Sequence, residues 1–191
     1  MDITSINISV TKYLYGLASL NIWTEYLAIF FSDAIFVIAI LAYLISILPL
    51  RKSGEYFKTL ISDMAPAVAT GLTVFIMKMF VTADRPFVQL GFTPFVAQPD
   101  PHSSFPSFHA AAFASFAMTL LYHRKKLGVY LIALLPLVMI GRIAIGVHWL
   151  SDVLFGAFIG IGISFRYYFK NYKSKVIAEK IINKYFKKEI K

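Results

Sequence analysis

Three short stretches of this 191-residue chain concentrate the side chains able to do chemistry. Lys78 and Arg85 stand seven residues apart, with Pro86 directly after the arginine. On one helix that spacing covers about 10.5 Å, nearly two turns, and sets both cations on one face; Pro86 would then end the helix. The run Ser103-Ser104-Phe105-Pro106-Ser107-Phe108-His109 follows. Ser104 suits an N-cap and Pro106 the first helical turn, leaving the opening N–H groups free. Such a helix N-terminus with a serine hydroxyl is an anion site, and His109 stands at its mouth. The third stretch supplies Arg142, His148 and Asp152. The last two are four apart, one turn on a helix face. An aspartate so placed accepts a hydrogen bond from one imidazole N–H and leaves the other nitrogen unprotonated and aimed outward, as in catalytic triads. Gly146 permits close approach between the neighbouring helices.

Each stretch alone has a plain reading. The two cations fit snorkelling side chains at a membrane interface, His109 a structural histidine, and the His-x-x-x-Asp spacing a satisfied buried pair. Together they form a cradle for a multiply charged anion, with a nucleophile and a proton donor. Phosphate fits, because Arg gives planar bidentate contacts and Lys a point charge. No carboxylate cluster suited to Mg²⁺ accompanies them, so protein cations would do a metal's work.

The elements that must position these residues are membrane helices. Of the chain, 58% is hydrophobic and only 15% charged, against about 25% charged in soluble domains. The absence of Cys excludes disulfides, thiolate metal sites and cysteine nucleophiles. A bilayer core needs about 20 mostly apolar residues per helix. Five segments qualify: 26–48, 57–81, 105–121, 127–145 and 149–169. The first 25 residues read as an amphipathic helix on the membrane surface, or else as a sixth span. The fold class is therefore all-α, an integral membrane bundle of about five transmembrane helices plus an N-terminal amphipathic helix. Arg51, Lys52 and Lys58, the basic run around Arg124, and eight Lys from residue 170 onward all fall on one side. The positive-inside rule makes that side cytoplasmic. The three chemical stretches then face outward, with Trp23 and Trp149 as interfacial anchors. The Pro-rich, apolar loop 87–104 reads as a connector on the bilayer surface or as a lid.

These three clusters, in this order, resemble the signature of the type 2 phosphatidic acid phosphatase superfamily: Lys-x6-Arg-Pro, Pro-Ser-x-His and Ser-Arg-x5-His-x3-Asp. Here they read Lys78…Arg85-Pro86, Pro106-Ser107-Phe108-His109 and Gly141-Arg142…His148…Asp152. The resemblance implies that His148 takes the phosphoryl group as a phosphohistidine and that Asp152 orients it. It implies that His109 protonates the leaving oxygen and then activates water. Lys78, Arg85, Ser107 and Arg142 would hold the phosphate oxygens, and neither metal nor cofactor is required. Positioning and electrostatic stabilisation are what phosphoryl transfer needs. Two positions depart from the pattern. Phe108 stands where Gly, or sometimes Asp, is usual, and adds bulk that can pack on a lipid chain. Gly141 replaces a Ser and removes one phosphate donor. The size and compact outer loop look like bacterial undecaprenyl-diphosphate phosphatases of the cytoplasmic (inner) membrane, acting at its outer leaflet. Phosphatidylglycerophosphate, phosphatidate and lipid A phosphates stay open as substrates, as does a non-catalytic lipid-phosphate binder or transporter. The soluble haloperoxidases of the superfamily do not fit five spans.

Other polar residues complete the reading. Asp33 lies inside the first span, where an unpaired carboxylate is costly. It reads as a partner of a cationic site residue or of nearby backbone and Ser32. Asp63 is expected to be structural, His102 an exposed loop residue and His123 part of the inner basic loop. Residues 1–175 form the membrane domain. Residues 176–191 read as a basic amphipathic cytoplasmic tail on anionic headgroups, or as a solvated tail that fixes topology. Nothing in the aromatic spacing supports nucleic-acid recognition.

Overall fold

In the computed structural model, residues 2–123 and 125–185 are described, with side chains to residue 168. Among them the regular structure is helical, with one isolated bridge between Ala83 and Ser103. Helix α1 (Ile3–Ala18) starts where Asp2 accepts the Ser5 N–H at 2.8 Å. It packs against the later helices α7 and α8. After the break at Ser19–Asn21, Asn21 and Thr24 form a reciprocal capping box that starts α2 (Ile22–Ile29). A five-residue π-helical turn (Phe30–Ala34) leads into α3 (Ile35–Ile47) and a 3₁₀ turn (Leu48–Ser53). The whole stretch Ile22–Ser53 is one apolar, membrane-spanning length. Helix α4 (Tyr56–Phe80), α7 (Lys126–Ala144) and residues Leu150–Tyr168 of α8 (Leu150–Tyr185) are long and apolar enough to cross as well.

The third expected span, 105–121, departs from the reading. Helix α6 (Phe108–Tyr122) has only 15 residues, about 22 Å at the usual helical rise, and starts at Phe108 rather than residue 105. Its N-cap is Ser107, not Ser104, and Pro106 precedes the helix. Helix α6 need not match the bilayer by itself, because α4, α7 and α8 sheathe it. Ten of its residues are buried, six of them Ala or Ser. Those small side chains let α8 come very close. A Cβ on Gly156 would stand 2.5 Å from the Ser107 carbonyl oxygen, and one on Gly160 2.1 Å from that of Ala111. Both glycines are required by contact rather than by backbone angle.

The long loop before α6 is folded down onto the bundle. After the short helix α5 (Pro86–Leu90), Phe92 and Phe95 stack on Tyr15 at 3.9 and 5.0 Å, and the Tyr15 hydroxyl donates to Thr93 O at 2.8 Å. Gly146 is a left-handed turn residue (φ 81°) that ends α7, where Phe92 leaves no room for a Cβ. Trp149 is not an interfacial anchor: it is buried, and its indole donates to Asp84 O at 2.9 Å. Trp23, 79% exposed, does suit that role.

At the opposite end Asp63 is fully buried and joins four elements. It accepts from the Tyr43 hydroxyl at 2.8 Å and pairs with Lys125 and with His123 Nδ1. The expected tail contact with headgroups falls on side chains and residues outside those described. Removing one member of a buried charge pair leaves the others unpaired, at about 3 kcal/mol. Asp63→Ala should therefore lower unfolding stability in detergent by about that amount. An unchanged denaturation midpoint would show that the network carries no stability.

Candidate active site

The first two stretches meet through backbone pairing rather than along one helix. Helix α4 stops at Phe80 and Val81 is extended (φ −119°, ψ 109°), so Lys78 and Arg85 do not share a helical face. The β-branched pair Val81-Thr82 and the extended bias of the residue before Pro86 favour this break. Residues 83–85 run beside residues 101–104 instead. Ala83 N–H donates to His102 O, Ser104 N–H to Ala83 O and Arg85 N–H to Pro101 O, all at 2.9–3.0 Å. Lys78, in the last turn of α4, reaches the same strip: its Nζ donates to Ser103 O at 2.6 Å. Arg85 is buried, with Nε on Asp100 O (2.8 Å) and Nη1 on Val147 O (2.9 Å), next to His148.

The second and third stretches meet where α6 and α8 begin. Ser107 is buried, and its hydroxyl faces Ala110 N at 3.5 Å; its own N–H donates to Asp152 O at 3.1 Å. His148 lies before α8, so the pair with Asp152 is not made along a helix as its spacing predicts. Asp152 folds back from the first turn instead. Its Oδ2 accepts the Trp149 N–H at 2.9 Å and the Ser104 hydroxyl at 2.5 Å, with His148 Nδ1 3.5 Å away. Ser104, read from the sequence only as a helix cap, thus belongs to the site. The adjacent Pro-Ser-x-His run was the available signal.

A second carboxylate completes the cluster. Asp33, on the π-helical turn, accepts from Arg142 Nη1 at 2.7 Å, and His109 Nε2 lies 3.2 Å from the same oxygen. Ser32 Oγ accepts from Arg142 Nη1 at 3.0 Å. This contact also gives Gly141 a reason: a Cβ there would lie 2.6 Å from Ser32 N. Phe108 is 43% exposed, edge-on to His109 and lying over Gly71. Lys78, Arg85, Ser107, His109, Arg142, His148 and Asp152 are therefore linked through direct contacts and short backbone steps at one end of the bundle, with Asp33 and Phe108 beside His109. Among the described residues no group of three His, Asp or Glu side chains could hold a metal ion.

The electrostatics favour a neutral His148. Burial holds its pKa down, to about 3, and the nearby Arg142 and Arg85 push the same way against Asp152. A buried imidazole kept neutral is an available nucleophile.

Comparison with known proteins places the chain in a family. Residues 59–175 match the PAP2 superfamily. The chain belongs to that superfamily. The Escherichia coli (strain K12) protein YbjG, provisionally named an undecaprenyl-diphosphatase, is 30% identical over 161 residues, covering 82% of this chain and 78% of that one. Two crystal structures share the fold. Aquifex aeolicus LpxE superposes with a TM-score of 0.61 at 22% identity, covering 83% of this chain and 92% of that one. A PAP2-type phosphatidylglycerolphosphate phosphatase from Bacillus subtilis gives 0.64 at 20% identity, covering 91% and 87%. This PAP2 chain is thus a multi-pass membrane protein of a lipid phosphatase family.

The depressed His148 pKa makes a stability prediction. The unfolded histidine takes up a proton near its ordinary value of 6.5, whereas the folded one resists protonation down to about 3. Stability is then fully present above the unfolded value and falls as pH drops between the two, by ~1 kcal/mol per pH unit. Unfolding titrations in detergent between about pH 6 and pH 4.5 should show a shallower fall for His148→Gln. Equal slopes would mean that His148 is protonated in the folded protein.

Proposed function

We propose that the protein removes a phosphate from a membrane lipid (di)phosphate at the extracytoplasmic face, converting undecaprenyl diphosphate to undecaprenyl phosphate. The observation that carries the reaction is the union of Lys78, Arg85 and Arg142 with His109 and the His148–Asp152 pair. With Nδ1 turned toward Asp152, His148 Nε2 attacks the terminal phosphorus and the bond to the bridging oxygen breaks. Protonated His109 donates its proton to that oxygen, releasing the lipid phosphate and leaving phosphohistidine. Neutral His109 then takes a proton from water, whose oxygen attacks phosphorus. The P–N bond breaks, inorganic phosphate leaves and both histidines are restored. Lys78, Arg85, Ser107 and Arg142 hold the phosphoryl oxygens as charge spreads over them. Asp33 balances Arg142 and orients His109, while Phe108 borders the lipid.

The substrate rests on the likeness to YbjG. Orientation rests on Arg51, Lys52 and Lys58 at the end opposite the site. The same rule sets the C-terminus in the cytoplasm, where the basic tail rests on anionic headgroups.

Phosphate release in detergent with EDTA should be fastest for undecaprenyl diphosphate among that lipid, phosphatidylglycerophosphate, phosphatidate and lipid A. His148→Ala should lose at least about 10³-fold, as removal of a covalent nucleophile does. Release from none of the four would refute the hydrolase reading, and faster release from a glycerolipid would refute the substrate. Activity in His148→Ala would exclude it as nucleophile, and loss with EDTA would contradict a metal-free reaction. A reporter fused after Lys191 that lies outside would reverse the face.

A further inference from the structure

Ser104 touches all three stretches of the site. Its hydroxyl donates to Asp152 Oδ2 at 2.5 Å, its N–H to Ala83 O at 2.9 Å, and its carbonyl lies 3.4 Å from Lys78 Nζ. The residue is fully buried. Asp152 Oδ2 accepts from the Ser104 hydroxyl and the Trp149 N–H, and the same oxygen faces His148 Nδ1 at 3.5 Å. Among the described residues His148 Nδ1 has no other hydrogen-bond partner. Two fixed donors therefore decide where that oxygen sits beneath the imidazole. Only one of them, Ser104, comes from outside the chain segment that bears His148 and Asp152.

We propose that Ser104 is a positioning residue for Asp152: its hydroxyl holds Oδ2 in line with His148 Nδ1, so that His148 keeps the tautomer protonated at Nδ1 and presents Nε2. This rests on the role assigned to His148 above. Hydroxyl and carboxylate meet only because the strip of residues 101–104 is pinned beside residues 83–85. The arrival of Lys78 at that strip and the setting of the histidine thus share one short segment.

The test has a kinetic and a spectroscopic arm. With the lipid phosphate that the unaltered enzyme hydrolyses fastest, Ser104→Ala should lower kcat about tenfold with KM within about twofold, the loss of one hydrogen bond to a charged group. Ser104→Thr, which keeps the hydroxyl, should restore most of it. In an Asp152→Asn background Ser104→Ala should cost less than about twofold, because the acceptor it orients is already altered. Full additivity of the two losses, or a loss in KM alone, would overturn the proposal. So would an unchanged kcat in Ser104→Ala. In ¹⁵N-histidine spectra of the detergent-solubilised protein, His148 should be protonated at Nδ1, with a mixture of tautomers in Ser104→Ala. An unchanged tautomer would overturn the proposal even if no lipid were hydrolysed, which separates its failure from that of the hydrolase reading. Where Ser104→Ala does not fold, Ser104→Cys, similar in size and a weaker donor, carries the same comparisons.

Discussion

The proposed site depends on how closely α6 and α8 can approach. Their axes meet where Gly156 and Gly160 face the carbonyls of Ser107 and Ala111, at distances that admit no side chain. This contact brings the beginnings of two helices together. One beginning carries Ser107 and His109, the other Asp152. Without it the Ser107 N–H would not reach Asp152 O, nor would Ser104 reach the carboxylate. Small residues on α6 serve the same end: Ala110, Ala111, Ala114 and Ala117 are all completely buried. In a bilayer, packing by close backbone approach replaces the hydrophobic drive of a soluble core. The short, sheathed helix and the site at its end are two results of one packing solution.

A second consequence is that the site is assembled from turns held on helix ends. Lys78 lies at the end of α4, Arg142 near the end of α7, His148 in the turn before α8, and Asp33 on the π-helical turn. Irregular backbone at membrane depth must satisfy its own polar groups. Here side chains help. Arg85 spans Asp100 O and Val147 O, Lys78 takes Ser103 O, and Trp149 takes Asp84 O. These groups stabilise the loops and are thereby fixed themselves, which is what a preorganised electrostatic site requires.

Much of this was legible in the residues. Long apolar runs give the spanning helices, and a lone carboxylate in such a run, Asp33, announces a buried partner. The spacing of the three stretches identifies the family. What local pattern does not encode is pairing between segments about twenty residues apart. The bridge from Ala83 to Ser103 breaks the expected helix after Lys78 and turns Ser104 from a cap into a contact of Asp152. Trp149 fails as an anchor for the same kind of reason: its indole serves the loop carbonyl of Asp84. Gly141 reads as a missing donor, yet the space it leaves admits the backbone of Ser32, whose hydroxyl reaches Arg142.

The two ends of the bundle also handle buried charge differently, and the difference bears on which end takes an anion. At the end opposite the site one buried carboxylate, Asp63, meets Lys125, His123 and Tyr43, so the groups of this buried cluster answer one another. At the site end Asp33 answers Arg142, while Asp152 is engaged by Ser104 and Trp149. Among the described residues neither Lys78 nor Arg85 has a carboxylate at ion-pair distance; both donate to neutral carbonyls instead. Carbonyl dipoles orient a cation without cancelling its charge. At the site end the buried Arg85 and the half-buried Lys78 are thus left without a directly paired carboxylate, an arrangement that leaves both cations available to a multiply charged anion.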